Sequence, residues 1–209
     1  MITLSAMVNL WAASILLLAT STALGETELL ERKPYLSKYQ DAWKSLTVPG
    51  RYYLYMRSYE DEPFYGHNRK CVFNELVSIN EEDKYTVSIF GSVDLKDGLT
   101  KTQTAYAWVR ASEGYTVPNV IEASNSKEKL STIEYPVAFS EYDNCDILRV
   151  PHRNNGCELW AKAGQVHNIK SLCFFVFHLL CGPNKYIVYD RDLCGRDPQT
   201  SPSMITVEL

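Results

Sequence analysis

The chain has 209 residues, with 21 Lys and Arg against 25 Asp and Glu, and a formal net charge of −4 at pH 7. No block of like charge occurs, so the composition argues against a nucleic acid or an anionic membrane as the partner. The length fits one domain that is large enough for a real hydrophobic core.

The first 25 residues carry no charged side chain and centre on an apolar run, Leu10–Ala19. Ala23 and Gly25 then supply the small residues that signal peptidase prefers. The alternative is a membrane anchor, but the run is shorter than the ~20 residues that a bilayer requires and no basic stop-transfer sequence follows. We therefore expect a signal peptide over residues 1–25, a folded domain over residues 26–195 and a disordered tail over residues 196–209.

The folded domain begins with a charged, loose segment and a short helix. Asp41 is a candidate N-cap for a helix over Tyr39–Leu46, which would turn Trp43 and Leu46 inward. Val48-Pro49-Gly50 ends this helix. Beyond it, the pattern changes from a helix to strands.

Eight short strands at hairpin spacing follow, separated by turn signals and without helices between them. They are predicted over Arg51–Tyr59, Lys70–Ile79, Lys84–Val93, Thr102–Ala111, Tyr115–Ala123, Lys129–Phe139, Cys145–Val150 and Cys157–Trp160. Such a pattern indicates an antiparallel sheet that is either a closed barrel or a sandwich, and periodicity leaves both open.

After the strands, Val166–Leu180 has apolar residues at helical spacing, and Gly182-Pro183 stops it. We expect this helix to pack outside the sheet, although the run Phe174-Phe175-Val176-Phe177 keeps a buried strand open as the alternative. A last short strand is predicted over Tyr186–Asp190.

The most informative stretch runs from Cys145 to Cys173 and combines Cys-Asp-Ile, Glu-Leu-Trp and a final Cys at defined spacing. This spacing resembles the pattern of the tick salivary lipocalins, the histamine-binding family. Gln40–Leu46 is similar to that family's N-terminal Asp-Ala-Trp helix, and Tyr52-Tyr53 with the block Tyr59–Cys71 extends the resemblance over most of the mature chain. The resemblance implies an eight-stranded antiparallel lipocalin β-barrel, with a short N-terminal helix and a C-terminal helix packed outside.

All six cysteines lie in the mature part, which predicts three disulfides in a secreted chain, with fifteen possible pairings. The family resemblance implies the pairs Cys71–Cys194 and Cys145–Cys173, and the remaining pair is Cys157–Cys181. No Cys-x-x-Cys pair and no close Cys/His set occurs, so the sequence indicates neither a zinc site nor any other cofactor.

The 14 tyrosines and four tryptophans can line a pocket that both stacks on a ring and forms hydrogen bonds, although sheet propensity alone also favours tyrosine. In the related proteins, carboxylates and aromatic faces hold a cationic amine. The resemblance implies ligand-binding roles for Tyr59, Glu62, Tyr65, Asp146 and Glu158. Trp160, Trp43 and Arg57 are further candidate ligand-binding residues. A capping role for Asp146 and a solvent-exposed strand position for Glu158 remain the alternatives.

Some acids of the family pattern are replaced here, at Val48-Pro49-Gly50, at Thr104 and at Tyr135-Pro136. In addition, strict alternation along the first strand would place Arg57 on the same face as Tyr59 and so in the lumen, unless a bulge intervenes. A lumen arginine would repel an amine and favour a carboxylate, whereas an arginine at the barrel mouth would reach solvent. A sterol or fatty acid, as in the family's Japanin-like branch, is therefore the second candidate ligand.

The histidines are scattered, and neither His-Glu-x-x-His nor Gly-x-Ser-x-Gly occurs, so we expect no enzyme activity. A scaffold that binds a host protein through its loops is a third possibility. Our prediction is a secreted, monomeric lipocalin that sequesters a biogenic amine such as histamine or serotonin, and so suppresses host inflammation and immunity, with a host immune cell as a further target.

Overall fold

The structure is a computed structural model that describes residues 29–60 and 68–195. The chain divides into residues 1–30, almost all outside the described part, and the compact unit Glu31–Leu209 that contains the barrel. The predicted signal peptide and tail lie outside the described residues. No helix in the described ranges is long and apolar enough to cross a membrane.

Nine strands form one antiparallel sheet in the order β2-β3-β4-β5-β6-β7-β8-β1-β9, and pairing of β1 with β2 closes the first eight into a barrel. The strands are β1 Arg51–Arg57, β2 Arg69–Asn80, β3 Tyr85–Asp94, β4 Thr100–Arg110, β5 Val120–Ser124, β6 Ile133–Ser140, β7 Cys145–Val150, β8 Gly156–Lys162 and β9 Tyr186–Ile187. The predicted barrel is confirmed, and the sandwich is excluded.

Within residues 29–60 and 68–195, three α-helices accompany the barrel: α1 Ala42–Leu46, α2 Ser171–Cys181 and α3 Arg191–Cys194. Three 3₁₀ turns cover Pro34–Tyr39, Pro151–Arg153 and Ala163–Gln165. The Asp41 side chain accepts a hydrogen bond from the Lys44 backbone N–H, so it caps α1 as predicted. This short helix packs against β4 and β6, where Ala42 joins Ala107, Ile121 and Val137 in one apolar cluster.

Helix α2 packs outside the barrel against β7 and β8, so the strand alternative for this segment is wrong. Cys173, Phe177 and Cys181 recur every four residues and therefore share one face of the helix. The disulfides Cys145–Cys173 and Cys157–Cys181 join this face to β7 and β8. The helix begins five residues later than predicted, because Ala163–Gln165 forms a 3₁₀ turn and the Lys170 N–H bonds to the Asn144 side chain.

The segment after α2 returns to the wall between β1 and β2. These two strands pair only over Arg51–Tyr53, and β9 pairs with β1 at Met56 and Arg57. The third disulfide, Cys71–Cys194, fastens this segment to β2 at an irregular position where Cys71 has a left-handed φ of 52°. All three disulfides have the pairing that the family resemblance implied.

Two predicted strand starts are wrong. β5 begins at Val120 rather than Tyr115, because Pro118 cannot donate to a ladder and Gly114 forms a turn with φ of 78°. Strand β6 begins at Ile133 rather than Lys129, because residues 125–132 form a connection in which Lys129 pairs with Glu122. Both errors shorten strands without changing their order.

Candidate functional site

The barrel encloses a cavity of about 440 Å³ to which every strand from β1 to β8 and helix α1 contribute. Its wall combines aromatic, aliphatic and small polar residues, as ligand pockets in proteins do. Within the described part of the chain, the lining contains two charged residues, Asp146 and Glu158, and both are acids. The cavity is therefore an electrostatically negative site with a mostly apolar wall.

Asp146 on β7 is buried where helix α1 meets the strand. Its Oδ2 accepts a hydrogen bond from the Ser45 hydroxyl at 2.7 Å, and its Oδ1 accepts one from the Ser140 hydroxyl at 2.5 Å. Burial raises the pKa of Asp146 above its usual range, while the two serine bonds act in the opposite direction. The two serines fix the orientation of the Asp146 carboxylate before a ligand binds, while burial disfavours its charged form.

Tyr52 on β1 presents a second polar group to the cavity. Its hydroxyl is buried and has no hydrogen-bond partner among the described residues. Burial raises the pKa of Tyr52, and the negative charges of Asp146 and Asp143 raise it further, so the phenol remains neutral. A buried, unpaired hydroxyl is costly, and a polar ligand that bonds to it would remove that cost.

Glu158 on β8 is almost completely buried and is held by two neighbours. The Tyr59 hydroxyl donates to its Oε1, and the Trp160 indole N–H donates to its Oε2 at 2.9 Å. The Tyr59 ring lies so close to Gly156 that a Cβ at that glycine would approach the ring carbon Cδ1 to 2.7 Å. Glu158 is 1% exposed and lines the cavity, so the alternative of a solvent-exposed strand position is wrong.

The two carboxylates lie near each other on adjacent strands. Asp146 pairs with Trp160, and Leu148 pairs with Glu158, so the acids are diagonal neighbours on the inner face of the β7–β8 hairpin. Diagonal neighbours in an antiparallel pair have Cα atoms about 7–8 Å apart. One small cation could therefore contact either acid, with the Trp160 ring beside both.

Arg57 lies opposite Glu158 in the β1–β8 ladder. Its guanidinium donates to the Glu60 carbonyl at 2.6 Å and lies over the Tyr59 ring, with 5.4 Å from Cζ to the ring centroid. A bulge between Leu54 and Met56 breaks the alternation of β1. Tyr53 therefore packs in the outer core with Met56 and, contrary to the prediction from strict alternation, does not share a face with Arg57. The Arg57 side chain is outside the cavity lining described above.

Other predicted site residues have mixed outcomes. The prediction that Trp43 faces inward is wrong: its ring is half-buried beneath the Lys84 ammonium, 4.8 Å from the ring centroid, and Ser45 and Leu46 line the cavity instead. On a one-turn helix, residues 42, 45 and 46 share a face, and residue 43 lies on its flank. Glu62 and Tyr65 lie outside the described residues.

Two positions where family acids seemed replaced can now be placed. Tyr135 lines the cavity, whereas Thr104 is exposed on the outer face because its neighbours Gln103 and Ala105 face inward. The described part of the chain also contains no group of three or more His, Cys, Asp or Glu side chains arranged to hold a metal ion.

Sequence reasoning missed several polar residues of the cavity. Ser45, which donates to Asp146, is 101 residues away in sequence, so only the fold brings α1 to β7, whereas Ser140 is six residues away across the β6–β7 turn. Asn74 and Ser88 lie on neighbouring strands and bond to each other inside the barrel. The alternation of Ser88 and Phe90 along β3 was the available signal for the inward face of that strand.

A family model described as tick histamine binding protein matches residues 30–196. The chain belongs to the tick histamine-binding protein family. In this family, the male-specific histamine-binding salivary protein of Rhipicephalus appendiculatus is 28% identical over 146 residues, covering 67% of this chain and 72% of that protein. The female-specific histamine-binding protein 1 of the same tick is 27% identical over 157 residues, covering 70% and 81%.

Solved structures share the fold. AM182, determined in a serotonin complex, has a TM-score of 0.54 and 23% identity, covering 74% of this chain and 92% of that chain. Japanin from Rhipicephalus appendiculatus, bound to cholesterol, has a TM-score of 0.51 and 16% identity, covering 69% and 95%. The family is one of binding proteins, so the prediction that this chain is not an enzyme is confirmed.

Proposed function

We propose that this protein sequesters a biogenic amine, such as histamine or serotonin, in the barrel cavity. The observation that carries the proposal is the pair of buried carboxylates, Asp146 and Glu158, in a lining whose described residues include no Lys, Arg or His. Buried charges are stable only when they are paired. Asp146 is the acid with no positively charged partner among the described residues, since its two hydrogen bonds come from serine hydroxyls, and an ammonium group would supply that charge.

The aromatic residues around the acids suit the rest of such a ligand. Trp160, Phe90 and Tyr52 belong to one cluster on the inner side of the wall. A cation over the Trp160 ring gains from the ring's negative face, and an aromatic ligand can pack against the same cluster. The unpaired Tyr52 hydroxyl can accept a hydrogen bond from the ammonium.

A sterol or fatty acid is the second candidate, and Arg57 is the observation in its favour. The Arg57 Nε is buried without a hydrogen-bond partner among the described residues, and a ligand whose carboxylate extends past Glu158, beyond the described lining, would pair with it. Against this candidate, an apolar ligand would leave Asp146 desolvated and without a positive partner. We therefore place the amine first.

The proposed role is that of a secreted scavenger that acts by mass action. The relatives' names describe salivary histamine-binding proteins, which fits release through a signal peptide over residues 1–25. Such a protein must be present near the concentration of its ligand and must bind it more tightly than the host receptor does. We propose that it acts as a monomer at the feeding site and lowers the inflammatory signal that reaches host immune cells.

Equilibrium dialysis of the secreted protein against labelled histamine and labelled serotonin tests this proposal. Saturable binding at one or two sites per chain is expected. N-terminal sequencing of the same preparation should begin at Glu26. Absence of saturable binding of both amines, together with a co-purifying sterol or fatty acid in the mass spectrum, would instead support the lipid candidate.

A further inference from the structure

The wall of the cavity that faces Asp146 carries a second polar group. Asn74 on β2 and Ser88 on β3 both line the cavity, and the Ser88 hydroxyl donates to the Asn74 Oδ1 at 2.7 Å. Neither side chain contributes to closing the ladder or to capping a helix. Gln103 on β4, opposite Phe90, is a further polar residue of this wall, and buried polar side chains in a mostly apolar lining require a reason.

The pair lies across the barrel from Asp146. Between β3 and β7 there are four strand steps in either direction around the closed sheet, so these strands occupy opposite walls. Asn74 is cross-strand partner to both Tyr52 on β1 and Phe90 on β3. A ligand whose ammonium contacts Asp146 would therefore direct its ring past Tyr52 and Phe90 toward Asn74 and Ser88.

The hydrogen-bonding capacity of the pair is incompletely used. With its Oδ1 engaged by Ser88, Asn74 has an Nδ2 that donates to no other described residue, and the Ser88 oxygen still has lone pairs to accept a bond. Together they offer one donor and one acceptor to the lumen. A hydroxyl group, which both donates and accepts, matches this arrangement.

The adjoining wall leaves room for the ring itself. Ala105 lies opposite Ser88, and Ala107 lies opposite Ala123, so these cavity-lining positions on β4 and β5 carry small side chains, alongside the larger Gln103 and Ile121. The small side chains leave space beside Ser88 for an aromatic ring between this wall and the Trp160 cluster.

We propose that Asn74 and Ser88 recognise a hydroxyl group at the far end of the ligand's aromatic ring, so that the site selects hydroxylated aromatic amines over amines without this group. This inference rests on the proposed function, because it assumes an amine anchored at Asp146. It adds a recognition element on the wall opposite the carboxylates.

Serotonin and tryptamine differ by one ring hydroxyl and so provide the test. Two neutral hydrogen bonds of ordinary strength predict a preference for serotonin of about 5- to 150-fold in calorimetric titration of the full mature protein. Asn74→Leu should reduce this preference to within about threefold, mainly by weakening serotonin. Ser88→Ala, a smaller change that tests the same bond, should reduce it in part.

Ser78→Ala is the matched control, since Ser78 is exposed on β2, and it should leave the preference unchanged. Equal weakening of both ligands in Asn74→Leu and Ser88→Ala would indicate a structural role and overturn the inference. Equal affinity of the unmodified protein for the two amines would also overturn it, while leaving the proposed function intact. Failure of both amines to bind would overturn the proposed function together with this inference.

Discussion

Replacing Asp146 by asparagine removes one negative charge from the cavity and leaves its shape nearly unchanged. The serine hydroxyls of Ser45 and Ser140 can rotate to donate to an amide oxygen or to accept from an amide nitrogen, so both local bonds can persist. Loss of one partner from a buried, hydrogen-bonded charge pair costs about 2–5 kcal/mol. Because Glu158 remains, we expect the lower end, or about 30-fold weaker binding of serotonin.

The empty protein should respond in the opposite direction. Burial raises the pKa of Asp146, so its charge destabilises the folded state at neutral pH, and Asp146→Asn should raise the melting temperature without ligand. Calorimetric titration gives the affinity, and thermal unfolding gives the stability. The matched control is Asp143→Asn on the β6–β7 connection just before Asp146, where the side chain is exposed and pairs with Lys162. Serotonin affinity within threefold of the unmodified protein in Asp146→Asn would refute the assignment of this acid.

The same pKa predicts a pH dependence. As the pH falls through the raised pKa of Asp146, the folded protein takes up a proton that the unfolded chain binds only near pH 3.9. The empty barrel gains stability in that window, whereas the amine loses its counter-charge. Serotonin affinity should therefore fall as the pH is lowered from 7.5, and this fall should be smaller in Asp146→Asn. An equally steep fall in both proteins would assign the effect to another group.

Three further predictions concern binding and stability. Glu158→Gln should weaken amine binding more than tenfold in dialysis, whereas Glu134→Gln, at a partly exposed position, should not; unchanged affinity would remove Glu158 from the site. Arg149→Met should lower the free energy of unfolding by about 3–5 kcal/mol in urea, because it leaves buried Glu31 unpaired, and adding Glu31→Gln should recover part of the loss; a purely additive double variant would contradict this coupling. Replacing both Cys71 and Cys194 by serine should lower it by about 2–5 kcal/mol, and an unaltered urea midpoint would show that this disulfide contributes little.

The strand order and the position of the outer helix could be predicted from sequence, because alternation, turn residues and helical spacing are local signals. Closure of the sheet into a barrel could not be predicted from local patterns, because it depends on β1 pairing with both β2 and β8, and the spacing of apolar residues does not show which strands pair. The family resemblance supplied that step. It also supplied the cysteine pairing, which composition left open among fifteen possibilities.

The inner face of β1 could not be predicted, and the reason is a single residue. Leu54 and Met56 pair with the adjacent residues Trp160 and Leu159, so Tyr55 is one extra residue in β1. The residues before and after this bulge therefore alternate between the two faces in different registers. Tyr53 therefore joins the outer core, and Tyr52 reaches the cavity. Bulges have no dependable sequence signature, so face assignments along a strand hold only as far as the nearest bulge.

The two candidate acids line the cavity on the β7–β8 hairpin, and their ligand-binding role stays a prediction; the residues that hold them were not predicted. Ser45 contacts Asp146 only because helix α1 lies against the end of the barrel. In the same way, Tyr59 after β1 reaches Glu158 on β8, 99 residues away, whereas Trp160 is a neighbour two residues along the same strand. Hydrogen bonds between residues distant in sequence depend on the complete fold and carry no local pattern.

The central claim is that the cavity binds a cationic amine. Calorimetric titration of the delipidated, refolded mature protein with histamine, serotonin and cholesterol in parallel tests it most directly. The account predicts saturable binding of at least one amine, with Asp146 and Glu158 as its counter-charges, and little or no heat from cholesterol. Saturable binding of cholesterol without binding of either amine would contradict it.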